Sequence, residues 1–440
     1  MSEKETPQQQ LKSLIHTYCM DTTRTTEGKE LEIKYGIGEN KITKTQFNNT
    51  INKLKQSGFL LLNNDGDYML RINPMTRGKS GYFNQSFVRV EINELNNIQN
   101  YCKTDYFDIV NIPDHINIIK KKLSILERGK DGKNIFQKPV DFHTSNFRVN
   151  YKIEEKLSEE NSELKTILKE WTSSKKIFRY IKRYRFKIPS TPFEIHCSII
   201  KTSRQRKIGR GRSVYVEESN IQDSNVFKNP ESYEIELEFN EDAVDKLGNI
   251  SERKNGIMNI IKRYTKLILS GLQNTNYPVK YDEQTQVLKD YIKLSHRDKV
   301  ITDAKTGKRK KVISVEELLK DQSNYKRKNR KNFIGPSTVS LEMKHIIPTE
   351  NKNSPNINNL YTVTEKADGE RHLLYINDIG KIYLLDINLN VKFTGCTTGE
   401  DKLNNSVFDG ELVLTNKDGM FINRFLVFDL YIANKKDFRQ

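Results

Sequence analysis

Lys366, Asp368, Gly369 and Arg371 stand together in the run Lys-Ala-Asp-Gly-Glu-Arg, just after the apolar, β-prone Leu360-Tyr361-Thr362-Val363. A lysine at a strand end can attack the α-phosphorus of a nucleotide if it loses its proton near neutral pH and cations close by hold the phosphates. Arg371 can supply part of that field, and its planar fork suits phosphate or ribose oxygens. Gly369 lets the backbone pass where a Cβ would obstruct it. The same six residues also read as a polar β-turn, since Asp-Gly is the commonest hairpin signal.

Two later segments favour the chemical reading. Phe408-Asp409-Gly410-Glu411-Leu412-Val413-Leu414 and Phe425-Leu426-Val427-Phe428-Asp429-Leu430-Tyr431 each read as a buried strand carrying an acid, as a nucleotide pocket needs. In this order and spacing the three segments resemble motifs I, III and IIIa of the family that contains mRNA capping guanylyltransferases and ATP- or NAD-dependent polynucleotide ligases. The resemblance implies a lysyl-nucleotide phosphoramidate on Lys366 and a ribose contact from Arg371. It further implies that Glu411 places nucleotide or metal and that Phe428 stacks on the base. Asp368 and Gly369 complete the nucleotide-binding set.

The N-terminal half has a different texture, with alternating strands separated by Asn, Gly and Lys clusters after a helical opening around Leu11 to Met20. In Glu30-Leu31-Glu32-Ile33-Lys34-Tyr35 the period of two places Glu30, Glu32 and Lys34 on one face. In Tyr233-Glu234-Ile235-Glu236-Leu237-Glu238-Phe239 it does the same for Glu234, Glu236 and Glu238. Strands between them carry the opposite charge: Arg89 within Phe87–Glu91; Arg148 and Lys152, with Glu154, within Phe147–Glu154; Arg183, Arg185 and Lys187 within Phe178–Ile188. Phe193–Lys201 completes the set. Solvated charges on an antiparallel sheet would explain any one of these strands. A closed barrel with a hydrophilic lumen and an apolar exterior explains all of them, with carboxylates for a divalent cation and basic groups for a triphosphate.

This arrangement resembles the triphosphate tunnel metalloenzymes, whose first and last tunnel strands carry E-x-E motifs and whose RNA triphosphatases use Mg²⁺ or Mn²⁺. The resemblance implies Glu30, Glu32, Glu234 and Glu236 as metal ligands, with Glu238 as a further candidate. Arg89, Lys152, Arg183 and Arg185 are the candidates for binding the triphosphate. A tunnel followed by a KxDGxR nucleotidyltransferase resembles the multifunctional mRNA capping enzymes of large cytoplasmic DNA viruses, of the mimivirus, asfarvirus and poxvirus type.

The expected fold class is therefore α+β, an antiparallel β-barrel followed by a nucleotidyltransferase α+β domain. The boundaries expected are 1–243 for the triphosphatase tunnel and 244–335 for a helical and basic connection that begins the second domain. Residues 336–440 would be a guanylyltransferase domain incomplete at its C-terminus, because Gln440 follows the third motif closely and the family's later motifs and OB-type lid are absent. Within the connection, Val244–Leu272 has helical spacing. Lys308–Lys311 and Lys326–Lys331 are basic clusters that read as a solvated linker or as a guide for RNA.

Composition fits a binder of polyanions. The chain has 440 residues, a net charge of +17 and a pI near 9.4, so a nucleic acid is the simplest partner and the attraction should weaken with salt. Cys19, Cys102, Cys197 and Cys396 have no paired spacing, which excludes a recognisable zinc site or disulfide framework and fits a reducing compartment. The polar N-terminus and the lack of a long apolar run argue against a signal peptide or membrane span. The resemblance implies GTP as substrate, the RNA 5′-triphosphate end as partner, and a viral methyltransferase subunit or viral RNA polymerase as associates. Host cytoplasm, as a viral factory, or the virion is the expected location. The alternatives are an ATP-dependent DNA or RNA ligase, for which a triphosphatase tunnel has no use, and a non-catalytic RNA-binding subunit.

Overall fold

A computed structural model describes the chain apart from residues 1–4, 22–26, 39, 78–82, 107–112, 123–124, 129–133, 159, 209–211, 297–300, 303–308, 311–314, 316–318, 320–332, 337–339, 350–355, 361–364 and 440. The cluster Lys326–Lys331 and the segment Tyr361–Thr364 lie outside the described residues. The chain divides into two compact units, Met1–Asn274 and Thr275–Gln440.

Unit 1 is built on eight long strands: β1 (Glu27–Tyr35), β2 (Asp67–Arg77), β3 (Val88–Asn93), β4 (Ile116–Lys122), β5 (Phe147–Lys156), β6 (Lys176–Lys187), β7 (Phe193–Thr202) and β8 (Ser232–Phe239). They pair antiparallel in the order β6-β7-β8-β1-β5-β4-β3-β2, and β2 pairs back onto β6, so the sheet closes on itself. The barrel expected from the sequence is the fold observed. Shorter strands, among them Leu60–Leu61, Phe83–Gln85 and Val140–Phe142, extend the sheet at its ends.

The alternation decides which face looks inward. Leu31, Ile33 and Tyr35 of β1 are buried on the outside of the barrel, as are Ile195 and Cys197 of β7 and Ile235 and Leu237 of β8. Helices cover that outer face: α1 (Pro7–Met20), α2 (Lys44–Gln56), α3 (Leu95–Thr104), α4 (Ser162–Lys169) and α5 (Ile250–Leu272). Both α1 and α5 start on reciprocal caps, Thr6 with Gln9 and Asn249 with Glu252, which satisfy orphan amides of the first turn. Helices α2 and α5 cross where Gly271 meets Thr50; a Cβ there would lie 2.6 Å from the Thr50 Cα. The Tyr35 hydroxyl meets Thr265 of α5 at 2.8 Å and ties the barrel wall to that helix. Each fully buried aliphatic side chain contributes about 1.5–3 kcal/mol, whereas buried ion pairs roughly offset their own desolvation. Stability therefore comes from the outside of this barrel, and its charged interior is left for chemistry.

Unit 2 holds helix α6 (Tyr281–Ser295) against a mixed-length antiparallel sheet of β9 (Glu370–Ile376), β10 (Lys381–Leu385), β11 (Val391–Thr397), β12 (Ser406–Thr415) and β13 (Phe421–Ala433), in the order β11-β10-β9-β12-β13. Val287, Leu288, Tyr291 and Ile292 of α6 pack on Leu373, Tyr375 and Tyr383 to form the core. The sequence reading differs from the structure on β13, which was expected to be buried. Leu426, Val427, Phe428 and Leu430 are exposed. Among the described residues, β13 bonds along one edge to β12 and only Ile432 and Ala433 pair onward, with Lys436–Asp437, so the stretch before them stands at the sheet edge. Among the described residues, no helix is long and apolar enough to cross a membrane.

Candidate functional site

The lumen of unit 1 gathers nearly every charged residue singled out by parity. Register places Glu30 opposite Lys152 and Glu32 opposite Asn150 across the β1–β5 pair. The Lys152 ammonium lies 2.8 Å from Glu30, 3.1 Å from Glu32 and 3.5 Å from Glu154, so three carboxylates surround one cation. Arg89 grips Glu154 with both terminal nitrogens, at 2.8 and 2.7 Å, and donates to Glu91 through Nε at 2.6 Å. Arg71 of β2 reaches the same Glu91 at 2.8 Å.

A second network faces it from β8. Lys34 lies 2.9 Å from Glu234 and 3.1 Å from Glu236. Arg179 bonds Glu234, and Arg183 stands 3.8 Å from Glu236. Burial alone would raise the Glu236 pKa, but Lys34, Arg183 and Arg179 hold it well below the usual carboxylate range. Glu32 is likewise lowered: burial and the charge of Glu236 would raise it, but Lys152 together with hydrogen bonds from Asn150 and Glu30 outweighs them. The two networks thus feel one another through Glu32 and Glu236.

A third group sits toward the barrel mouth at the start of β2 and β7. Arg185 lies 2.9 Å from Asp67 and 3.7 Å from Glu194. The buried His196 bridges two carboxylates, with Nε2 3.4 Å from Glu194 and Nδ1 at ion-pair distance, 3.0 Å, from Glu238, though that second contact lacks hydrogen-bond alignment. Burial alone would lower the His196 pKa, but the two carboxylates raise it. Glu194 is held down to about 2, first by His196. A cavity of about 720 Å³ opens here, lined by Asp67, Arg183, Arg185, Glu194, His196 and Glu238 among others. Glu238 thus pairs with His196, while register sets it opposite Glu32 across the β1–β8 pair.

The fit of a divalent cation can be tested on this donor set. As placed, the carboxylates are distributed over ammonium and guanidinium groups, and no three His, Cys, Asp or Glu side chains form a metal-ligating group among the described residues. The chemistry of the cluster nonetheless suits a hard cation. Burial, and then a carboxyl–carboxyl hydrogen bond with Glu154, push Glu30 well above the usual carboxylate range. Oxygens that approach one another this closely need a shared proton or a cation between them, and all the donors are carboxylate oxygens. Lys152 supplies part of that positive charge in this arrangement.

In unit 2 the segment 366–371 leads into β9, which pairs with β12 so that Arg371 faces Glu411 and Leu373 faces Asp409. Lys366 is exposed, its side chain 85% accessible, with Asp368 at 3.9 Å. The Gly369 amide donates to Glu411 at 3.1 Å. A Cβ on Gly369 would fall 2.6 Å from the Leu412 carbonyl oxygen, so the glycine is required where the chain crosses β12. Arg371 donates to both oxygens of Asp409, at 3.1 and 2.5 Å, and to the Pro336 carbonyl at 2.6 Å. Its guanidinium also lies 5.5 Å from the Phe333 ring and 5.9 Å from the exposed Phe428 ring. Lys366, Asp368, Gly369, Arg371, Glu411 and Phe428 thus lie around one end of the β9–β12–β13 sheet.

Several residues of these networks were not among the sequence candidates. Asp409 is fully buried, holds Arg371 and accepts a hydrogen bond from Tyr431. In the lumen, Lys34, Glu91, Glu154, Arg71, Arg179 and His196 join the named residues. Parity on β1 and β5 already placed Lys34 and Glu154 on the correct face; Arg71 lies on a strand the alternation did not reveal.

Three comparisons bear on identity. Residues 295–440 match the family described as mRNA capping enzyme, catalytic domain. Over 210 residues, 48% of this chain, it is 28% identical to the probable mRNA-capping enzyme of Acanthamoeba polyphaga mimivirus, and the matched stretch amounts to 13% of that protein. Among solved structures, the RNA triphosphatase domain of a trifunctional mimivirus mRNA capping enzyme aligns at 14% identity with a TM-score of 0.35, covering 58% of this chain and 95% of that one. The Pct1 RNA triphosphatase of S. pombe aligns at 11% identity and 0.32, covering 62% of this chain and 93% of that one.

Proposed function

We propose that this chain, whose C-terminal third matches the catalytic domain of mRNA capping enzymes, is part of a viral capping enzyme with two active centres. The barrel removes the γ-phosphate from the 5′ end of a triphosphate-ended transcript, and Lys366 carries GMP from GTP to the resulting diphosphate end. The observation that carries the reading is a closed barrel whose interior is lined by glutamates and basic side chains while its apolar residues face outward.

In the barrel, Arg89, Lys152, Arg183 and Arg185 are the cations that would hold the triphosphate. Glu30, Glu32, Glu234 and Glu236 would hold Mg²⁺ or Mn²⁺, and that ion would supply charge stabilisation for the γ-phosphoryl group and orientation of water. Glu238, paired with His196, would act at the mouth. Binding would exchange the lumen's ion pairs, the carboxylates turning to the metal ion and the ammonium and guanidinium groups to the phosphates.

In unit 2 the deprotonated Lys366 amine attacks the GTP α-phosphorus: an N–P bond forms, the bond to the β-phosphate oxygen breaks, and pyrophosphate leaves. A terminal oxygen of the diphosphate RNA then attacks the same phosphorus, the N–P bond breaks, and the lysine is restored with GpppRNA released. Glu411, which orients the Gly369 amide, fixes the loop that carries Lys366 and Asp368. Phe428, exposed beside Arg371, offers a stacking surface for the base. A viral RNA polymerase or methyltransferase subunit would be the associate, and the host cytoplasm or the virion the site of action.

The test is covalent labelling of the full-length protein with α-labelled nucleotide and divalent cation. Acid-labile, alkali-stable label from GTP and not ATP, lost in Lys366→Ala, is the expected result. Label taken from ATP in preference to GTP would indicate a ligase.

A further inference from the structure

The barrel has two ends, and they differ in construction. Strands β2, β4 and β7 run in the same direction as β1, and each is followed at its far end by a two-stranded excursion. Strand β2 continues into pairing with Phe83–Gln85; β4 is followed by the hairpin of Ile125–Arg128 with Asn134–Phe136; β7 is followed by the hairpin of Gln205–Ile208 with Arg212–Tyr215. All three stand at one rim. The last of them opens with Arg204, Arg206 and Lys207, all exposed, of which Arg204 has Glu218 at 3.7 Å.

At the opposite rim the described chain next to the strands consists of 62–66 before β2, Glu94 after β3, 113–115 before β4, 157–161 after β5, 188–192 between β6 and β7, and Asn240 after β8. Their described residues include Asp65, Glu94, Asp114 and Glu160 and contain no lysine or arginine. The cavity at this mouth adds Asp67, Glu194, Glu238 and Glu241 to its lining, against Lys29, Arg183 and Arg185. A polyanion approaching the acidic rim meets mainly carboxylates, whereas at the hairpin rim the exposed Arg204, Arg206 and Lys207 stand together, with Glu217, Glu218 and Glu231 as the nearby acids.

We propose that single-stranded RNA enters the lumen through the hairpin rim, with its first nucleotides lying along Arg204, Arg206 and Lys207 and its triphosphate leading inward. The inference rests on the triphosphatase reading and adds to it the direction of entry and the surface that recognises RNA beyond its terminal phosphates. These three side chains touch phosphates downstream of the reacting group, so they govern RNA affinity and not the chemical step.

The test compares the full-length protein with the charge-reversed variant Arg204→Glu, Arg206→Glu, Lys207→Glu, after checking that the melting temperature is unchanged. Two substrates share the same γ-phosphate: a triphosphate-ended RNA of several nucleotides and free GTP. The expected result is a KM for RNA raised at least about tenfold, with kcat kept and the KM for GTP unchanged. The slope of log binding constant against log salt should fall by about 2, roughly 0.7 for each lost single-strand phosphate contact. An unchanged RNA KM and slope would overturn the inference, as would an equal rise in KM for GTP. If the unaltered protein releases phosphate from neither substrate, the triphosphatase reading has failed, and the RNA-binding slope still decides whether this rim is the RNA surface.

Discussion

Arg371 and Asp409 form a two-point ion pair on adjacent strands, with the carboxylate fully buried and Tyr431 donating a further hydrogen bond to it. The bond to Asp409 is also the main reason the Arg371 pKa is raised. The arginine beside the candidate nucleophile is therefore held by the sheet, through the acid of Asp409-Gly410-Glu411.

Removing that acid should destabilise unit 2. Asp409→Ala leaves the guanidinium facing a buried gap, and breaking one partner of a buried pair costs about 3–5 kcal/mol. Because the Arg371 side chain is about a quarter exposed, solvent screening brings the expectation toward the lower end of that range. Chemical denaturation followed through unit 2 would measure it. A loss below about 1 kcal/mol would mean that the pair is not structural.

The barrel mouth should respond to pH on two sides. The His196 pKa is raised in the folded state, so its ion pairs contribute fully below the ordinary histidine value of about 6.5 and are lost as pH rises through the raised value. The Glu194 pKa is depressed to about 2, so its contribution is present above about 4.3 and is lost as pH falls through 2. Arg183, Glu236 and Glu238 face the same imidazole and set the size of the effect. Melting temperature against pH should show a decline above pH 6.5 that His196→Gln abolishes. A decline of equal size in the variant would assign it to other groups.

How much of this was legible in the sequence follows from where alternation is clean. Strands β1, β3, β5 and β8 alternate polar and apolar residues over most of their length, and β6 and β7 do so with breaks at Lys182-Arg183 and Ile199-Ile200, so the side that faces the lumen could be read from Glu234, Glu236 and Glu238. Strand β2 was hidden because Pro74 interrupts its pattern, and β4 because Ile116-Asn117-Ile118-Ile119 runs into three lysines, which blurs the period of two. Arg71 went unnoticed with its strand. Asp409 stands in a named motif, yet nothing in its type reveals that it would be buried under Arg371. The exposure of β13 was illegible for a different reason: an apolar strand looks the same in sequence whether its second edge is paired or open. The identity of the partners each lumen charge selects depends on the stagger between strands, which no single strand encodes.

Release of phosphate from γ-labelled, triphosphate-ended RNA tests most directly whether the barrel lumen is a metal-dependent RNA triphosphatase. The full-length protein should release label only with Mg²⁺ or Mn²⁺ and stop with EDTA. Glu32→Ala and Glu236→Ala should each lower the rate at least about a hundredfold, the scale of losing a major electrostatic contribution to the transition state, while Lys366→Ala leaves it intact. Undiminished release by the Glu32→Ala, Glu236→Ala double variant would contradict the account.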